Sequence, residues 1–231
     1  MSKFRCPFKK AFDYPFIITK ELPQDASSLA YQRVVDNLIY ANLDESFKVI
    51  SVIPTMKNDH QANMVVNLAY LLSQQKKKIL VMDLDFRSPR LHVVLNTGMK
   101  QGIYDYLFAN KEIKECILKD KTYGFDSLFV GQPINSISQV LESKKIKDLI
   151  ESLKEAYDVI LLISPSIATS KDGLLIAKLS DSIVYIVSKK YSNKQVVDMN
   201  YHRLKSLNVP ILGTILLDYK EKEKILGIPL L

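Results

Sequence analysis

The sequence predicts an α/β domain in three layers, a largely parallel sheet with helices on both faces. Three observations predict it. Short runs of Val, Ile and Leu without polar alternation, such as VILLI at 159–163, have the pattern of strands buried on both faces. These runs alternate with longer segments of helical period, the arrangement of repeated βα units. At 231 residues, 47% apolar and 25% charged, the chain has the balance of one globular domain with a single sizeable core.

The first two dozen residues hold Pro7, Pro15 and Pro23 and show no period, so an extended arm is expected over 1–23 and the folded domain over 24–231. Strands are expected at 48–53, 78–83, 127–130, 159–163, 182–187 and 211–217. Helices are expected at 26–41, 61–75, 103–109, 143–156, 172–179 and 193–207. In the second helix Val65, Leu68, Ala69 and Leu72 recur at helical spacing and should face the sheet, with Gln74 and the lysines after it in water.

Several chemistries find no support. Cys6 and Cys116 are far apart and match neither a metal-ligand spacing nor a disulfide framework, which suits a reducing compartment. His60, His92 and His202 fall on three separate segments and suggest no metal site. Ser164 lacks the turn motif of a nucleophile elbow, and Tyr185, within a strand, reads as core. The apolar runs are too short to span a bilayer, so a soluble protein is expected. A net charge of +7 suits an acidic partner, but the excess is scattered, with Lys76, Lys77 and Lys78 as the single run of three. Basicity by itself selects no partner, and nucleic acid is the weakest candidate.

Ligands of an open parallel sheet bind beyond the carboxyl ends of its strands. There the segment VMDLDFRSPRLH, 81–92, places Asp83 at a strand end and Asp85, Arg87 and Arg90 in the loop. Two carboxylates so spaced can hold a hydrated Mg²⁺ or orient a hydroxyl, and the arginines can meet phosphate or an anionic partner. Equally, Asp83 can cap the following turn with Arg87 as its salt-bridge partner. Lys57 and Lys189 are loop lysines, open to an anion or merely solvated.

ILVMDLDFRSPRLH resembles the second Walker motif of the bacterial tyrosine kinases of capsule and exopolysaccharide export. These are deviant-Walker P-loop ATPases, a group that includes septum-positioning and plasmid-partition ATPases. NLAYLLSQQKKKILVMDLD, VGQPINSISQVLES, EAYDVILLISPS and DGLLIAKLSDSIVYIVSKK follow in the family's order. The resemblance implies a P-loop NTPase-like fold, with ATP and Mg²⁺ as the family's cofactors and a nucleotide-binding loop at Lys57, Asn58, Asp59, His60, Gln61, Ala62 and Asn63.

The departures bear on activity. A working P-loop needs glycines, a lysine and a magnesium-ligating hydroxyl. On the family's pattern His60 takes the place of a glycine, Gln61 that of the lysine and Ala62 that of the hydroxyl. Ile163 stands where the Walker B aspartate belongs, and Leu217 where an asparagine contacts adenine. The oligomerisation motif falls on Leu29, Gln32 and Val35, with Arg33 nearby as a substitute, and no tyrosine follows Tyr219.

The resemblance thus implies a catalytically impaired, kinase-like protein, without cofactor. It would regulate exopolysaccharide polymerisation and export by binding the cytoplasmic tail of a membrane chain-length regulator or an active kinase relative, with a homo-oligomer as a further option. A cytoplasmic location follows, near the inner face of the membrane through the partner. Two alternatives stay open. One is an active ATP- and Mg²⁺-dependent tyrosine kinase using Asp83 and Asp85 with a non-standard loop; the other is a partition-like nucleic-acid-binding ATPase relative. The altered loop at a helix N-terminus also remains a place for an anion.

Overall fold

The computed structural model describes residues 17–41, 47–57, 61–98 and 100–217. The helices are α1 (Ile18–Glu21), α2 (Ala26–Ala41), α3 (Gln61–Ser73), α4 (Leu91–Val94), α5 (Ile103–Phe108), α6 (Ile113–Cys116), α7 (Ile137–Glu142), α8 (Lys144–Ala156), α9 (Asp172–Ala177) and α10 (Lys194–Lys205). The strands are β1 (Val49–Pro54), β2 (Ile79–Asp83), β3 (Ile117–Lys119), β4 (Phe125–Leu128), β5 (Val159–Ile163), β6 (Ser182–Ser188) and β7 (Ile211–Leu217). They form one sheet in the order β3-β4-β2-β5-β1-β6-β7. Every pair is parallel except β3 with β4.

The six expected strands and six expected helices are all present, within a few residues of their expected ends. Sequence reasoning missed β3 and the short helices α1, α4, α6 and α7, because segments of three to six residues carry too few turns or alternations to display a period. Of the arm expected over 1–23, residues 1–16 lie outside the described residues. The remainder is not extended, since α1 makes a helical turn against the domain. Ile17 is fully buried, and the Thr19 N–H and hydroxyl both donate to Asn67 Oδ1, at 3.0 and 2.9 Å.

Alternate strand residues serve opposite layers, as the pleat requires. Ile79 and Val81 of β2, with Val159, Leu161 and Ile163 of β5, join the cluster built with α2 and α3. Leu80, Met82, Ile160 and Leu162 point the other way, into the cluster of α5, α7 and α8. Val65, Leu68, Ala69 and Leu72 of α3 are buried as expected. Tyr185 is core too, its hydroxyl donating to the Val197 carbonyl at 3.3 Å.

Gly102 shows how closely α5 is set against the sheet. Its neighbours Ile103 and Tyr104 donate N–H groups to the carbonyls of Phe129 and Val130, at 2.8 and 2.9 Å. A Cβ at Gly102 would lie 2.1 Å from the Phe129 oxygen and 2.6 Å from the Gly131 nitrogen, both backbone atoms. Gly102→Ala is therefore expected to cost about 2 kcal/mol through forced displacement of α5, read as a lower urea midpoint with an unchanged m-value.

Candidate functional site

The parallel strands β2, β5, β1 and β6 are neighbours, so the loops that follow them meet at one end of the sheet. Asp83 closes β2 there and is 1% exposed. Its Oδ2 accepts the N–H groups of Arg90 and Leu91, both at 3.0 Å, and Oδ1 accepts that of Asp85 at 3.1 Å. The carboxyl thus clasps the whole 84–91 loop. Burial pushes it up to about 7, against the lowering by those three donors and with a further rise from Asp85.

Asp85 is half-buried and accepts the Ser88 N–H at 3.0 Å. Burial raises its carboxyl, while backbone donors and the charge of Lys57 pull it down. The capping reading of Asp83 fits this geometry, but its proposed pairing with Arg87 does not. Arg87 instead reaches 2.7 Å from Nε to Oδ2 of Asp172, a residue that sequence reasoning placed only at a helix start. Asp172 is 2% exposed and also accepts the Ser138 hydroxyl at 3.2 Å. Burial by itself would raise Asp172, but Arg87, Ser170 and Ser138 hold it below the ordinary carboxylate range. No local pattern announces this contact, which spans 85 residues.

At the phosphate-loop position α3 begins at Gln61. Asn58, Asp59 and His60 lie outside the described residues. Gln61 is buried, and its Nε2 donates to the Val52 carbonyl at 2.6 Å. Its amide is thereby turned into the sheet. Ala62 is buried and Asn63 exposed. Ile163 is 2% exposed and lies between Val52 and Asp83 in register. The cavity bounded by Lys57, Gln61, Asp85, Arg90 and Ile163 holds about 30 Å³, the room of about one water molecule.

At three positions the side chains differ in chemistry from those that a working P-loop uses. The lysine position holds an amide already hydrogen-bonded to a strand, the hydroxyl position a methyl group and the carboxylate position an isoleucine. Of the Asp83 oxygens, Oδ2 accepts two N–H donors and Oδ1 one. Among the described residues no group of three His, Cys, Asp or Glu is placed to hold a metal.

The remaining sequence candidates are dispersed. His92 is half-buried on α4 and His202 exposed on α10. Ser164 is fully buried and donates to the Pro165 carbonyl at 3.0 Å, far from a nucleophile's setting. Lys189 is exposed just beyond β6, and Leu217 is half-buried at the end of β7. On α2, Leu29, Gln32 and Arg33 are exposed, but Val35 is buried. An arginine's surface role is therefore closed to position 35. A larger concavity of about 600 Å³, unsuspected from sequence, opens between α5 and α7, lined by Tyr104, Phe108, Ile134 and Gln139 among others. No helix of the described residues is long and apolar enough to cross a membrane.

The sequence profile of a family described as AAA domain matches residues 48–208. Tyrosine-protein kinase YwqD of Bacillus subtilis is 22% identical over 200 residues, which cover 87% of this chain and 84% of that one. Tyrosine-protein kinase wzc of Salmonella typhimurium is 23% identical over 194 residues, 84% of this chain and only 27% of its own length. Among solved structures, the kinase domain of Escherichia coli tyrosine kinase ETK superposes with a TM-score of 0.85 at 18% identity, over 95% of this chain and 86% of that one. The septum site-determining protein MinD of Pyrococcus horikoshii, solved with Mg-ADP, gives 0.65 at 20% identity, over 79% of each. The fold is that of these P-loop ATPases. The chain belongs to the AAA-domain family, where the proteins it resembles include bacterial tyrosine-protein kinases.

Proposed function

We propose that this protein is a tyrosine-kinase-like regulator that has lost phosphoryl transfer and acts on polysaccharide polymerisation and export by binding other proteins. The observation that carries the reading is the buried amide of Gln61, held by Val52 where a lysine would meet phosphate. Ala62 and the buried Ile163 act in the same direction, removing both protein groups that would hold a metal or its waters. Phosphoryl transfer depends on positioning and charge neutralisation, so loss of these groups removes its main terms. The fold survives the loss because its stability lies in the sheet and its two helical layers.

The partners that fit this reading are the cytoplasmic tail of a membrane polysaccharide chain-length regulator and an active kinase relative. The protein would then work in the cytoplasm, at the membrane face through its partner. Calorimetric titration with ATP and ADP, with and without Mg²⁺, tests the silent-kinase reading against an active relative as control. No heat and no thermal stabilisation are expected. A second reading, an active kinase, draws on Lys57, whose charge acts on half-buried Asp85. Micromolar ATP binding that is lost in Asp85→Ala would put that reading first.

A further inference from the structure

The concavity between α5 and α7 holds about 600 Å³, within the range of about 300–1,000 Å³ that small-molecule sites occupy. It shares no residue with the small cavity at Gln61. Part of its lining is aromatic. Tyr104 and Phe108, one helical turn apart on α5, set their ring centroids 5.3 Å apart with the planes inclined at 46°. Phe108 is 54% exposed, a large apolar surface left to water.

Backbone contacts hold this concavity in shape. The Ile103 and Tyr104 N–H groups fix the start of α5 to the carbonyls of Phe129 and Val130, and Gly131, just before Pro133 and Ile134 of the lining, takes a φ of 81° that a residue with a side chain rarely adopts. At the far end of α7, Ser143 caps α8 by accepting the Ile146 N–H at 3.3 Å. The site is therefore formed before a ligand arrives, as small-molecule sites usually are.

The polar groups narrow the chemistry of that ligand. Neither the Tyr104 and Ser136 hydroxyls nor the Asn135 and Gln139 amides make a hydrogen bond to another described residue. No carboxylate lines the concavity, and its one charged side chain, Lys145, is engaged. The Lys145 Nζ donates to the Leu107 carbonyl at 2.7 Å and lies 5.2 Å from the centroid of the Tyr106 ring. Such a lining selects an uncharged ligand. Hydroxyls and amides both donate and accept, so they suit a molecule whose own groups do the same. A sugar ring has this form, with hydroxyls around its edge and, on its faces, C–H groups that the negative face of an aromatic ring attracts.

We propose that this concavity binds a neutral saccharide, with C–H groups packed on Tyr104 and Phe108 and hydroxyls shared among Asn135, Ser136 and Gln139. An apolar peptide side chain in the same place would take those polar groups out of water without pairing them, which is unfavourable. A sugar covers the rings and pairs the polar groups together.

The test is saturation-transfer difference NMR on the whole chain with maltose, cellobiose, lactose and chitobiose. Transfer to ring C–H protons is expected for at least one of them. Phe108→Ala should weaken that binding about fivefold, and Gln139→Ala about fivefold, with unchanged melting curves because both side chains belong to exposed residues. Glucose should bind at least as tightly as glucuronate, which differs by a carboxylate. Silence across the four sugars, binding indifferent to both substitutions, or tighter binding of glucuronate would overturn the proposal. So would a proline-rich peptide that displaces the sugars and binds more tightly than they do, or self-association of the chain that Phe108→Ala abolishes, since either result gives this surface to another occupant.

Discussion

Replacing Ile163 by Asp, which restores the family's Walker B residue, is expected to destabilise the protein by about 4 kcal/mol at pH 7 and not to create a metal site. Ile163 is 2% exposed and packs in the cluster formed with α3. In register it faces Asp83 on the neighbouring strand, on the same side of the sheet. A carboxylate there would be buried beside a second buried carboxyl whose oxygens already accept three N–H groups, while the cations that line the same cavity, Lys57 and Arg90, are exposed. In a metal-binding relative the ion would compensate such a pair, but here Gln61 and Ala62 offer it no further charge or hydroxyl. Urea unfolding measures the loss, which should shrink toward pH 5 as the introduced group takes up a proton. Ile163→Val, as a control, should cost only about 1 kcal/mol. A variant of undiminished stability that Mg²⁺ stabilises further would count against the silent-kinase reading.

Asp83→Ala comes next, with an expected loss of about 3 kcal/mol, because three backbone donors in and beside the core lose their acceptor. The 84–91 loop should open with it, seen as faster amide exchange at Asp85, Arg90 and Leu91. The pH dependence has a definite sign. Burial raises the folded-state carboxyl from 3.8 to about 7, so the folded form binds this proton more tightly than the unfolded chain does. The resulting stability is fully present below about pH 4 and is lost as pH rises to about 7. Asp172 is held low by its donors, and Asp181, which burial by itself would raise, is held low by Lys154 and the N–H groups of Val49 and Lys48, so their contributions are present above about pH 4 and fade on acidification. Subtracting the profile of Asp83→Asn from that of the wild type isolates the first effect. A flat difference between pH 4 and pH 7 would refute it.

The strongest sequence signals were those with repetition behind them. The apolar runs of β1, β2, β5, β6 and β7 and the long helices α2, α3, α8 and α10 carry enough turns or pleats to state their own period. The departures at Gln61, Ala62 and Ile163 were legible as well, because position in a motif needs no geometry. The clasp formed by Asp83 was one of two readings left open, and only the N–H groups of Arg90 and Leu91, at 3.0 Å, select it.

By itself, then, the sequence determined the layered α/β class and which residue types stand at 61, 62 and 163. It did so because periodicity and residue identity are local properties of a chain. The tertiary structure alone decided that Arg87 pairs with Asp172 and that Gln61 turns inward to Val52. Arg87 and Asp172 lie beyond strands β2 and β5, which become neighbours only when the sheet assembles, and Gln61 folds back on the strand before it; no local pattern encodes either contact.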